Sequence, residues 1–162
     1  MSRTKRLTTL AICISLALVL SYLESLIPTF VPIPGIKLGL ANIAVIFLLY
    51  RMGAVASVCV SALRVVLLAL LFGSPVSMIY SAAGALLSFT VMLLLKKLTP
   101  LGTVGVSVAG GVCHNIAQIA VASVILGTNV VLYYLPFLLL SGTVAGVGVG
   151  LAAALLIKKV KI

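Results

Sequence analysis

Long apolar runs, interrupted only by short breaks, occupy almost all of the 162 residues. Hydrophobic residues make up 64% of the chain and charged residues only 7%, which is outside the range of soluble globular domains. The bilayer is therefore the expected solvent of this protein. Because each crossing needs roughly 20 apolar residues, the chain has room for one all-α integral membrane domain with a bundle of about six transmembrane helices.

The apolar runs give the boundaries of the predicted spans within this single domain, residues 1–162. They cover residues 7–27, 38–50, 54–72, 76–95, 102–126 and 130–157. The second run is short, because its helix would rise only about 20 Å against a hydrocarbon core of about 30 Å. The stretch PTFVPIPGIK before it is a proline-rich loop, and Pro136 is expected to kink the last span.

The positive charges predict the orientation of the bundle. With six spans, every basic residue falls on the side of the N-terminus except Lys37, on the opposite side, and Arg64, within the membrane. The positive-inside rule therefore predicts a multi-pass protein of the cell membrane with both termini cytoplasmic. The basic residues are dispersed and lack interleaved aromatic residues, which argues against nucleic-acid binding.

The chain has no means of its own to use ATP or to run metal chemistry. No soluble segment exceeds about ten residues, too few for a nucleotide-binding domain, and there is no glycine-rich phosphate loop. Glu24 is the sole acidic residue, and the three cysteines lie in separate runs without metal or redox spacing. We therefore expect no catalytic residues, no metal and no cofactor.

Three polar residues interrupt the fifth apolar run, in the stretch GGVCHNIAQIAVA. Lipid cannot satisfy the imidazole of His114 or the amides of Asn115 and Gln118, so their face of the helix must point into the bundle. They could join helices through hydrogen bonds worth about 0.6 kcal/mol each. Their close spacing favours the other interpretation, a binding cavity.

Arg64 strengthens the case for a cavity. A lone arginine near the middle of a span costs roughly 2.5–3.5 kcal/mol on insertion scales, so something must compensate for it. Glu24 could pair with Arg64, or it could pair with Lys37 and leave Arg64 to a carboxylate or phosphate of a ligand. We favour a mixed network, in which a ligand joins Arg64 and Glu24.

Two stripes of small residues could let another backbone approach closely. One lies on the first span and the other on the last; they consist of Ala17, Ser21 and Ser25, and of Gly142, Gly146 and Gly150. Packing within the bundle and docking of a partner subunit both fit this pattern. Both stripes are therefore candidate docking surfaces.

Four stretches carry a resemblance to a known family: KLGLANIAVIFLLY, ALRVVLLALLFGSP, VCHNIAQIAVA and YYLPFLLLSGTVAG. In this order they resemble the Gx transporter family, often labelled heptaprenyl diphosphate synthase component I, which is similar to the S components of energy-coupling factor transporters. The resemblance implies a six-helix substrate-binding subunit that a transmembrane coupling subunit and two ATPase subunits drive. It also implies that Asn42 joins Arg64, His114, Asn115 and Gln118 in contacting the substrate.

The leading hypothesis is binding of a small anionic or amphipathic molecule for uptake, with PTFVPIPGIK covering the entrance. The alternative is a noncatalytic membrane subunit of isoprenoid (heptaprenyl diphosphate) biosynthesis. It would be noncatalytic because a chain without aspartate cannot build the aspartate-rich magnesium site of prenyl diphosphate synthases. A third possibility is a proton-coupled cation exporter around Glu24, but the positive charge of Arg64 would repel its cargo. A fourth is an assembly subunit of a membrane complex, which would bind no ligand.

Overall fold

The computed structural model describes residues 2–26, 39–72 and 74–160. Within these ranges every regular element is a helix and no strand is present, which confirms the predicted all-α fold. The elements are α1 (Arg3–Leu26), α2 (Asn42–Arg51), α3 (Ala54–Phe72), α4 (Pro75–Leu98), α5 (Thr103–Leu126), a 3-10 helix (Val130–Tyr134) and α6 (Leu135–Lys159).

Five segments of the described chain are long and apolar enough to cross a membrane: α1, α3, α4, α5, and α6 together with its preceding 3-10 helix. Their backbone polar groups are satisfied inside each helix, as a lipid environment requires. The structure is therefore that of a helical membrane protein.

The second predicted span corresponds to α2, which begins at Asn42 and ends at Arg51. Its 10 residues rise about 15 Å, half the thickness of the hydrocarbon core. Most of its side chains are buried against the other helices, so the protein rather than lipid surrounds it. A sixth crossing at this point stays a prediction, and the loop PTFVPIPGIK lies outside the described residues.

Helix boundaries follow local chemistry. The Ser74 hydroxyl accepts a hydrogen bond from the Ser77 N–H at 3.2 Å, just before Pro75 starts α4. Gly127 ends α5 with a φ of 62°, which glycine adopts without strain. Pro136 lies in the first turn of α6, directly after the preceding 3-10 helix, where a proline removes no α-helical hydrogen bond. The expected kink in the last span stays a prediction.

Helices α5 and α6 pack backbone against backbone. A Cβ atom added to Gly146 would lie 2.7 Å from Val108 Cα, and one added to Gly150 would lie 2.7 Å from Val104 Cα. Similarly, a Cβ on Gly142 would lie 3.0 Å from the carbonyl oxygen of Gly111. The glycine stripe of the last span is thus filled by the chain's own α5, and the expectation that it docks a partner subunit does not fit this placement.

The small-residue stripe of α1 also faces inward. Ala17 is fully buried in a cluster with Phe47 of α2 and Val60 of α3, and Ser21 is 1% exposed. The side chain of Ser25 lies outside the described part of the structure. The described members of this stripe therefore contact the bundle, where the close approach of α2 and α3 requires small residues.

Basic side chains gather where the C-terminal ends of α2, α4 and α6 meet. The Arg51 guanidinium donates to the carbonyl of Val160. The Lys96 ammonium donates to the Leu49 carbonyl at 2.6 Å and lies 4.8 Å from the centre of the Tyr50 ring. The N-terminal half of α1 borders the same end, because Thr9 and Cys13 line a cavity together with Leu156 and Val160.

This arrangement predicts that both termini lie on one side of the membrane and the turn at Gly127 on the other. Alkaline phosphatase is active only outside the cytoplasm, whereas green fluorescent protein fluoresces inside. After Lys159, a fused green fluorescent protein should fluoresce and a fused alkaline phosphatase should be inactive. After Gly127, the fluorescent protein should stay dark and the phosphatase should be active. Equal behaviour of the two fusion sites would contradict the alternating arrangement of α5 and α6.

The close contact of α5 and α6 predicts a sharp difference between two glycines of α6. Gly146→Ala should lower the free energy of unfolding by about 1–3 kcal/mol, because the new methyl group would collide with the backbone of Val108. Gly148→Ala is the matched control, since a Cβ at Gly148 meets nothing within 4 Å. Unfolding by SDS in mixed micelles, followed by circular dichroism, measures both, and equal stabilities would contradict the packing.

Candidate functional site

A small hollow lies among four helices and contains the sole acid, the sole histidine and the one mid-span arginine of the chain. Its lining residues are Ser21, Glu24, Gly39, Arg64, Val65, Leu68, Ser81 and His114. We call it the Arg64 hollow. Its volume is about 10 Å³, which is roughly the space that one water needs. In this conformation the hollow is therefore closed to any larger molecule.

Arg64 lies near the middle of α3 and is 6% exposed. Its Nε has no hydrogen-bond partner among the described residues. The carboxylate of Glu24 acts on its charge across the hollow. A guanidinium has five N–H donors in a planar fork, so one interaction with Glu24 leaves capacity for a second anionic or polar group.

Glu24 connects the end of α1 to the residues that precede α2. It is 5% exposed, and its Oε1 accepts a hydrogen bond from the Gly39 N–H at 2.5 Å. Gly39 has a φ of 84°, a conformation that is strained for any residue with a side chain. The other predicted partner of Glu24, Lys37, lies outside the described residues.

His114 reaches the hollow from α5 and is 4% exposed. Its imidazole lies against the backbone of α4, since a Cβ atom on Gly84 would come within 2.6 Å of His114 Cε1. Ser81, one turn before Gly84, is also buried and lines the hollow. Small residues on α4 thus provide the space that lets a histidine stand between two helices.

The structure brings Arg64, Glu24 and His114 together, but it does not place the predicted amides in the same hollow. Asn115 Nδ2 donates to the Leu138 carbonyl at 2.8 Å, which joins α5 to α6. Gln118 and Asn42 are buried at 0% and 6% exposure, and neither lines the Arg64 hollow. The substrate contacts of all these residues stay predictions, and the placement of Asn115 fits the interhelical hydrogen bond.

Sequence reasoning missed two contributions to the hollow. Ser21 was placed on a docking stripe, yet its buried side chain lines the hollow. Gly39 contributes through its main chain, and its only sequence signal was a glycine shortly before a helix start. A backbone donor leaves no mark on the polarity of a sequence, so residue types alone could not identify it.

Comparison with known families gives a match over most of the chain. The profile of a family described as heptaprenyl diphosphate synthase component I matches residues 13–156. These residues include every side chain of the Arg64 hollow. No curated protein and no solved structure matches the chain.

The shared hollow predicts that the stabilities of Arg64 and Glu24 variants are coupled. Arg64→Met should destabilise the fold, because it leaves a buried carboxylate without its cation, and adding Glu24→Gln should restore about 0.5–3 kcal/mol. Unfolding by SDS in mixed micelles measures the double-mutant cycle.

The control cycle pairs Arg64→Met with Lys97→Gln, since Lys97 is exposed at the basic end of α4. These two changes should be additive within about 0.5 kcal/mol. Additivity of Arg64→Met and Glu24→Gln would contradict an interaction between the two charges in the hollow.

Proposed function

The chain belongs to the heptaprenyl diphosphate synthase component I family, and from this premise we propose that it is a membrane-embedded binding subunit for a small anionic or amphipathic molecule. The molecule binds at the Arg64 hollow and is taken up into the cell. A separate transmembrane coupling subunit and two ATPase subunits supply the energy. Their involvement is proposed because the chain carries no phosphate-binding loop and a single acidic residue.

The observation that carries this proposal is the burial of Arg64 with its Nε unsatisfied by the described residues. Stability alone does not favour such a group, because apolar residues of similar volume replace buried charges at little or no cost. Ionisable residues inside a membrane segment mark binding sites and pathways more often than structural contacts. A carboxylate or phosphate matches the planar donors of a guanidinium.

Binding requires the hollow to open, because about 10 Å³ holds no substrate. Glycine contacts hold α5 tightly against α6, and His114 packs directly on the backbone of α4. An apolar groove separates α3 from α4 instead. Opening therefore proceeds by movement of α1 and α3 away from the unit formed by α4, α5 and α6.

The family's description supports a second candidate function, a noncatalytic membrane subunit associated with heptaprenyl diphosphate synthesis. In this case a soluble synthase would supply the aspartates that hold magnesium and diphosphate. The chain would then copurify with the synthase in a fixed ratio. Loss of Arg64 would affect that assembly rather than the binding of a small molecule.

The proposed function predicts a compound that copurifies with the protein and depends on Arg64. Mass spectrometry of small molecules released from protein purified in mild detergent should find it with wild type. Arg64→Gln should reduce its amount at least about tenfold, the loss expected from one charge-assisted hydrogen bond.

Lys97→Gln is the matched control, since it also removes one positive charge but lies exposed outside the hollow. It should leave the amount of compound unchanged. Full retention of the compound by Arg64→Gln would show that the site is assigned wrongly. A wild-type protein that carries a synthase subunit and no compound would favour the second function.

A further inference from the structure

An apolar recess lies between α3 and α4. Its volume is about 320 Å³. It is lined by Val58, Ser61, Ala62, Val65 and Val66 of α3 and by Ala82, Ala85, Leu86 and Phe89 of α4. We call it the α3–α4 groove. Several of these residues, including Ala62 and Ala82, are exposed, so the groove opens on the surface that faces lipid.

The groove and the Arg64 hollow are neighbours. Val65 lines both, so the apolar recess and the hollow adjoin at this side chain. Ser81 of the hollow is also followed directly by Ala82 of the groove. From Val65 and Val66 the groove follows α3 back to Val58, a distance of about 12 Å along the helix axis.

The charges around this joint site are few. Among the residues that the structure describes, no charged residue lines the groove, and only Arg64 and Glu24 bring charge to the lining of the hollow, beside His114. Glu24 is held by the Gly39 N–H at 2.5 Å. The buried Nε of Arg64 has no such partner among the described residues, which leaves a cationic donor next to a long apolar recess.

We infer that the ligand is a single-tailed anionic amphiphile, with a compact carboxylate or phosphate head at Arg64 and a hydrocarbon tail in the α3–α4 groove. This inference rests on the proposed function and specifies its substrate class. The molecule enters sideways from the bilayer, since the groove faces lipid and the hollow is closed. Displacement of Val65 joins the two spaces and lets head and tail bind at once.

Direct binding of defined probes tests the inference. Wild-type protein in phosphatidylcholine nanodiscs is titrated with radiolabelled decyl phosphate or decanoate, and empty nanodiscs supply the background. Inorganic phosphate and acetate compete as heads without a tail, and decyltrimethylammonium competes as the tail with a cationic head. At least one of the two labelled amphiphiles should bind saturably, and the three competitors should be at least about tenfold weaker.

Variants separate the two halves of the site. Ala82→Phe fills the groove from an exposed position and should weaken amphiphile binding about tenfold, whereas Ala120→Phe, at an exposed alanine of α5 outside the groove, should leave it unchanged. Arg64→Gln should weaken binding by a similar factor. Size-exclusion profiles show whether each variant is folded.

The outcomes distinguish the inference from the function on which it rests. If phosphate or acetate binds as tightly as the amphiphiles, depends on Arg64 and ignores Ala82→Phe, the inference is overturned and the anion site stands. If Arg64→Gln binds the amphiphile as tightly as wild type, both are overturned. If neither amphiphile binds saturably, the inference is overturned. The proposed function is then still tested by mass spectrometry of the copurified compounds.

Discussion

The arrangement of the helices around the Arg64 hollow depends on one buried guanidinium. Lipid cannot hydrate Arg64, so the surrounding helices must supply every group that compensates its charge. Helix α1 supplies Glu24, and α5 supplies His114 to the same hollow. The small residues of α4 matter for the same reason, because only their lack of bulk allows the imidazole to lie against the Gly84 backbone. The polar groups that compensate Arg64 and the small residues that make space for them thus serve the same purpose.

The contacts of α5 join it closely to α4 and α6. Helices in lipid gain little from the hydrophobic effect, so close backbone approach provides much of their attraction. Gly110 faces Met92 of α4, and Gly111 faces Gly142 of α6, at distances that leave no room for a side chain. Asn115 adds a hydrogen bond to α6 in the same region. The side of the hollow formed by α5 is therefore packed closely against both α4 and α6.

Hydropathy predicted the long helices well, because a bilayer leaves the backbone few alternatives to a helix. It predicted α2 poorly, since protein buries this helix and its ends need not match the membrane thickness. The cost of burying polar groups in lipid predicted that Arg64 and His114 face a common interior space, and both line one hollow. It could not place Asn115, because a carbonyl of α6 accepts from the amide Nδ2 as well as a ligand would. The inward direction of Ala17 depends on long-range packing, which the spacing of small residues does not encode.

The charge that makes the closed hollow costly can also drive the binding cycle of the proposed function. A ligand shifts a conformational equilibrium only by its different affinity for the two states. An anionic head at Arg64 would gain most when the helices of the opened hollow close around it and exclude water, because charge interactions strengthen as the local dielectric falls. Glu24 opposes this gain by repelling the head, and its hydrogen bond from the Gly39 N–H sets how close the carboxylate lies to that head. The hydrogen bond between Glu24 and Gly39 therefore determines how strongly ligand binding favours closure, since it fixes the position of the one negative charge in the hollow.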